Sequence, residues 1–569
     1  MTLDAPLRPS TSGSTLEATL LPGRAGPGGY RRLERGPGER LGLRRDLGGV
    51  LPSDRCRSLV SFVQLSDLHV TDAQSPARAE FLDRHGDADS AHAPLVGRVG
   101  TYRAHEALTH QVVEAMAHAV RRVRGGPATG AEPAFAIATG DSTDNCQANE
   151  LAAYLALLDG GRVVVPDSGD RSRFEGVGSP DAYDPRYWHP DGTPEGAPDD
   201  RARAVHGYPS VPGLLDACRE PFRAGGLGLP WYAVYGNHDA LFGGTLPPGP
   251  ELTHLVLGSR KPVGLAPGAD VLSLLLGNET SPSAGSWGLL LGPTRPVTAD
   301  RARRPVGARE WIGAHRAAPG TPFGHGFGPL GSDDARAYYA FDAGVVRFLV
   351  LDTVNPAGGW QGSLDLEQLG WLEEELLGGH RHSYDASGRS VVRDVEDRLF
   401  VLCSHHPLET LVNDHAPGGR RRVLAGELAA LLGRFPNVVC WVNGHTHRNA
   451  VRAFAPPEGR RGGFWQVTTA SHVDWPQQSR LVEIACDEAT GELVVATAML
   501  DHAGALDPRR ADLDDPLALA GWSRELSANA WQGRSAVGEL WGRGRRADRN
   551  VALVVPAPFP LARVLSASR

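Results

Sequence analysis

Long apolar runs are missing from this 569-residue chain. None approaches the ~18 residues that a membrane helix needs, so no spanning segment is expected. Arg31-Arg32 and Arg44-Arg45 lie near the N-terminus, but neither pair precedes an apolar stretch of the kind an export signal requires. Cysteine is sparse. Its six copies (Cys56, Cys146, Cys218, Cys403, Cys440 and Cys486) are scattered, with no Cys-x-x-Cys pair. Disulfides are therefore not needed to explain the chain, which fits a reducing, cytoplasmic setting. A basic excess is lacking too. Net charge is −8 and nearly all basic residues are Arg, so there is no general pull toward nucleic acid or an anionic membrane. What is present, 41% apolar and 22% charged residues, is an ordinary globular composition.

The chain is organised around Trp231–Asp239. A short apolar run reads as a buried strand and stops at Gly236, which permits a sharp turn. Asn237, His238 and Asp239 follow without a spacer. An Asn amide oxygen can ligate a metal, a His can donate a proton, and an Asp can orient that His.

Other apolar runs end the same way. Leu59–Leu65 leads into Asp67 and His69, which face one side of an extended segment. A helical pattern around His105–Val123 separates it from the strand Pro133–Thr139, which runs into Gly140, Asp141 and Asp144. Strand, helix, strand marks a parallel β-α-β unit, and ligands collect at the C-terminal edge of such strands. Later, Arg398–Cys403 delivers His405 and His406, and Val438–Val442 delivers His445 and His447. His406 is expected to point away from its neighbour, and His472 to be peripheral. Strands near Phe464–Thr469 and Leu481–Ala485 are expected to close a second sheet. Residues 1–55 read as an irregular arm, and two Gly- and Pro-rich insertions span about 160–225 and 241–335. His325, in the second insertion, reads as a solvated loop residue.

Five strand-like runs ending in ligand-type residues are hard to explain by packing. The succession Asp-x-His, Gly-Asp-x-x-Asp, Gly-Asn-His-Asp, His, Gly-His-x-His resembles the calcineurin-like metallophosphoesterase family from about residue 59 to 486. The resemblance implies an α/β fold of two stacked mixed β-sheets flanked by helices, a four-layer sandwich with long loop insertions. On that reading residues 56–500 form one domain, and 501–569 are an extension packed on it.

The family pattern also implies roles. Asp67, His69 and His447 would hold one metal, Asn237, His405 and His445 another, and Asp141 would bridge them. The cofactor would be two divalent or trivalent transition-metal ions, with Mn, Fe, Zn or Co suiting an O/N donor set that lacks thiolate. The purple acid phosphatase branch has a Tyr three residues after the bridging Asp. Here that position is Asp144, expected instead to accept a hydrogen bond from a ligand.

The expected reaction is hydrolysis of a phosphodiester or phosphomonoester by a metal-bound hydroxide, with His238 protonating the leaving oxygen and Asp239 orienting His238. A small phosphoester is the expected partner, and the acidic charge weighs against a nuclease of the same family. The rival class is a catalytically silent scaffold of this fold. Such proteins usually lose ligands, and all seven positions are filled here.

Overall fold

A computed structural model describes residues 7–276, 291–328, 335–532 and 542–561. Two mixed sheets stack face to face. The seven-stranded sheet runs in the order Gly42–Arg44, Val551–Val555, Leu493–Asp501, Gln478–Asp487, Cys56–Leu65, Phe135–Thr139, Trp231–Val234. The six-stranded sheet runs Tyr339–Ala343, Val346–Val350, Leu399–Cys403, Val438–Asn443, Phe464–Thr468, Ala450–Phe454.

Side-chain alternation sorts each strand between two cores. Val60, Phe62 and Ile137 pack between the sheets against Phe348, Val401 and Val442. Val63, Leu65 and Ala136 face the other way, onto Met116 and Val120 of helix Thr109–Val120 and Tyr154 of helix Ala148–Asp159. The six-stranded sheet is covered likewise by helices Leu366–Leu377 and Ala425–Leu432 through Leu372, Leu376, Leu428 and Leu432. Four layers result: helices, sheet, sheet, helices. Phe135–Thr139, Leu399–Cys403 and Val438–Asn443 are buried on both faces and almost entirely apolar, which is why they are conspicuous as runs.

Three expectations change. The first 55 residues are not merely irregular. They form a hairpin, Ala18–Ala25 with Arg31–Pro37, and supply the edge strand Gly42–Arg44. The hairpin's connecting turn is Pro27–Gly29. The strand expected near Leu481–Ala485 does not join Phe464–Thr468. As Gln478–Asp487, buried along its whole length, it takes a central place in the seven-stranded sheet, between Cys56–Leu65 and Leu493–Asp501. The second insertion carries helices Pro250–Leu257, Val271–Leu276 and Ala308–Ala317, with a strand pair Arg260–Pro262 and Thr294–Pro296. No helix among the described residues is long and apolar enough to cross a membrane.

Candidate metal centre

Cys56–Leu65, Phe135–Thr139 and Trp231–Val234 are mutually parallel, and so are Leu399–Cys403 and Val438–Asn443. The loops leaving their C-terminal ends meet. Ligand-type atoms of Asp67, His69, Asp141 and His447 all lie within 4.8 Å of one another. His69 Nε2 stands 3.1 Å from His447 Nε2 and 3.7 Å from Asp141 Oδ2, and His447 Nε2 is 3.4 Å from Asp67 Oδ1. On the other side of Asp141, the same Oδ2 is 3.1 Å from His405 Nε2, which lies 3.2 Å from His445 Nδ1. One carboxylate oxygen thus faces both groups of histidines.

The imidazoles are pinned from behind. His69 Nδ1 donates to Asp144 Oδ1 at 2.9 Å, His447 Nδ1 to Asp474 Oδ2 at 2.7 Å, and His405 Nδ1 to the Thr139 carbonyl at 3.0 Å. Each bond fixes a tautomer and turns the Nε2 lone pair inward, the arrangement of metal-ligating histidines. Asn237 is buried. Its Nδ2 donates to the Gly244 carbonyl at 2.9 Å, while its Oδ1 has no hydrogen-bond partner. A buried, unpartnered carbonyl oxygen is costly unless something binds it. With two carboxylates, four imidazoles and one amide oxygen, this donor set fits transition-metal ions.

The backbone is strained where these side chains are presented. Of eight non-glycine residues with positive φ among the described residues, five are Asp67, His69, Asp141, His445 and His447. Each costs on the order of 1–3 kcal/mol and persists only where the surroundings over-determine it. Glycine is needed for close approach. Gly236 has an ordinary φ of −114°, so the sharp turn expected there is not its reason. A Cβ at Gly236 would stand 2.2 Å from the Asp141 amide nitrogen, and one at Gly444 would stand 2.2 Å from Asp67 Oδ2.

The charges answer one another. Burial opposes ionisation of Asp141, but His405, His238 and His69 hold it well below the usual carboxylate range. Burial likewise opposes the ionised form of Asp67, yet His447 and His405 bring its pKa down. Conversely, burial works against protonating His405 and His447, but Asp141 carries the first to about 9, and Asp474 with Asp67 carries the second to about 9. Burial and neighbouring His238 push His69 down to about 4. The carboxylates of this site hold their negative charge and draw positive charge toward it.

Asp144 accepts from His69 through Oδ1, while its Oδ2 meets Arg78 and, at 2.9 Å, Asn145 Nδ2. His238 is partly exposed, and its Nδ1 donates to the Asp144 carbonyl at 2.7 Å. Asp239, expected to orient His238, does not hydrogen-bond to that ring. Its carboxylate accepts from the amides of Gly236, Ser142 and Thr143, each at 3.0 Å. As the third residue of a short helix it turns back to cap that helix, and in doing so it holds the loop that carries Asp141. Burial and Asp141 raise the Asp239 carboxyl to about 7.

His406 lies beside His405 and His445, but its Nδ1 pairs with Thr353 Oγ1 at 2.8 Å and its Nε2 with the Trp360 carbonyl at 3.1 Å. Both nitrogens are spent. His472 is not peripheral: it is buried, with Nδ1 on the Ser66 carbonyl at 2.8 Å and Nε2 on Ser479 Oγ at 3.0 Å, propping the turn that carries Asp67. His325 is buried too, stacked on Trp231 with ring centroids 3.7 Å apart.

Sequence reasoning missed Asp474 and its partners. Arg103 grips the Asp474 carboxylate with two bonds, at 2.8 and 3.0 Å, and Arg98 adds a third contact. Burial opposes the charge on Asp474, but Arg103 and Arg98 hold its pKa well below the carboxylate range. The one available signal was its position just after the Phe464–Thr468 strand, among the other strand ends. The centre borders a cavity of about 570 Å³ whose lining includes His69, His238, His445 and His447.

No protein-family model matches the chain, and no curated protein does. Among solved structures, a dimetal phosphatase from Danio rerio overlaps 78% of this chain and 100% of its own, at 13% identity and TM-score 0.31. A purple acid phosphatase from yellow lupin seeds overlaps 82% of this chain and 55% of its own, at 10% identity and TM-score 0.28. These overlaps are too loose to carry an argument about this chain.

Proposed function

We propose that this chain is a metal-dependent phosphoesterase of the calcineurin-like kind. The observation that carries the reading is the convergence of inward-turned imidazole nitrogens from two groups of histidines on one oxygen of Asp141. Asp67, His69 and His447 would hold one metal ion, Asn237, His405 and His445 a second, and Asp141 both. Bound there, the ions would supply charge neutralisation at a phosphoryl group and activation of water.

The protein's own part is positioning and proton exchange. Asp144, Asp474 and the Thr139 carbonyl set the imidazole tautomers before substrate arrives. His238 gives its Nδ1 proton to the Asp144 carbonyl, so Nε2 is the atom that exchanges a proton with the cavity and would serve the leaving oxygen. Asp239 acts one step back, by fixing the Asp141 loop. The test is metal content of the purified protein together with hydrolysis of bis(p-nitrophenyl) phosphate and p-nitrophenyl phosphate. Two metal equivalents and release of nitrophenol from at least one ester are expected. Metal without turnover of either would point to the silent scaffold, and absence of bound metal would overturn the assignment.

A further inference from the structure

We propose that the cavity beside the metal centre is a subsite for an apolar organic group, so that the substrate is the phosphate ester of a hydrophobic alcohol. The proposal rests on the phosphoesterase reading above and names the class of ester.

The cavity that contains His69, His238, His445 and His447 in its wall is also lined by Leu82, Phe242, Leu246, Leu252, Leu255 and Val256. Phe242 and Leu246 lie on the turn that follows the short helix Asn237–Ala240, four and eight residues after His238. Leu252, Leu255 and Val256 sit at i, i+3 and i+4 of helix Pro250–Leu257, so they share one face. The inserted segment thus builds an apolar wall continuous with the candidate proton donor.

That wall is fastened to the core. Lys261, the only lysine in the sequence, follows the helix and is fully buried. Its Nζ lies 2.9 Å from Glu80 Oε1 and donates to the Ser75 carbonyl at 2.6 Å. At about 30 Å³ per non-hydrogen atom, 570 Å³ takes roughly 20 such atoms, enough for a phosphoryl group and a chain of about a dozen carbons.

Charge argues in the same direction. Three arginines line the cavity, and each is already committed: Arg78 to Asp144 and Glu106, Arg98 and Arg103 to Asp474. No described lysine or arginine lining the cavity is left to pair with a second phosphate or a carboxylate, as a nucleoside polyphosphate or phosphorylated sugar acid would require. At the rim, Trp360 is 43% exposed and stacks on His445 at 5.7 Å, offering an apolar surface to an entering chain.

The experiment compares methyl-, butyl- and octylphosphonate binding to the metal-loaded protein by calorimetry, alongside initial rates on the matching alkyl phosphates below their micelle concentrations. Affinity and kcat/KM are expected to rise roughly four-fold per methylene, with an increasingly negative heat-capacity change on binding. Leu255→Glu is expected to flatten that rise. Should the variant fail to fold, the wild-type series decides alone. Equal binding of methyl- and octylphosphonate, or tighter binding of adenosine 5′-monophosphate than of octylphosphonate, overturns the proposal. A steep chain-length rise in binding without hydrolysis of any ester upholds the apolar subsite and removes the phosphoesterase reading instead.

Discussion

The two halves of the centre are supported differently. Behind His69 and His447 stand the carboxylates Asp144 and Asp474, themselves clamped by Arg78 and by Arg98 with Arg103. Behind His405 and Asn237 stand only neutral backbone carbonyls, those of Thr139 and Gly244. A carboxylate acceptor makes an imidazole a stronger donor to a cation, whereas a peptide carbonyl mainly orients it. The lesson is that similar ligand types can form unequal sites, with the difference lying one layer out. Under the proposed function, the Asp67/His69/His447 half would hold its ion more tightly, and a chelator would strip the protein in two stages, the Asn237/His405/His445 half first.

The residue common to both halves gives the largest expected effect. Asp141→Ala should empty both halves at once and reduce hydrolysis to background, measured as metal content by mass spectrometry beside turnover. Loss of one equivalent only would break the shared-oxygen picture. His238→Ala comes next. It should lower kcat by ~10²–10⁴-fold while metal content stays at the wild-type value, and parallel loss of both would place His238 among the ligands. Asp474→Asn sharpens the contrast between halves. It should weaken the tighter metal by ~10–100-fold and merge the two chelation stages, and a two-stage curve unchanged in shape would show that the backing carboxylate does not set affinity. Smallest is Asp239→Asn, which turns an NH2 group toward either the Gly236 amide or the amides of the Asp141 loop. A stability loss of about 1–3 kcal/mol, read from the urea midpoint, is expected, and a change in the pH profile of kcat with no change in stability would instead favour direct action on His238.

The parts legible in the sequence were those written along a strand. An apolar run ending in Asp67/His69, Asp141, His405 or His445/His447 announces both a buried strand and the residues at its outlet, and the ligand-type atoms of these side chains do lie close together. Asp474 was hidden because its contact with His447 spans 27 residues and two loops, with no periodicity to mark it. Asp239 was misread because adjacency to His238 was taken for contact, while helix geometry turns consecutive residues in different directions. His472 and His325 looked like loop histidines because burial of a loop depends on what packs over it. The placement of Gln478–Asp487 could not be read locally either, since pairing partners are chosen by the whole sheet.

The strand Val551–Val555 lies between Gly42–Arg44 and Leu493–Asp501, so the sheet is stitched from both extremes of the chain. Every candidate ligand precedes residue 448, yet the scaffold beneath them stays open until residue 555 has left the ribosome. Through that interval the long, largely apolar edge of Leu493–Asp501 lies bare, a natural target for chaperones and a hazard for self-association.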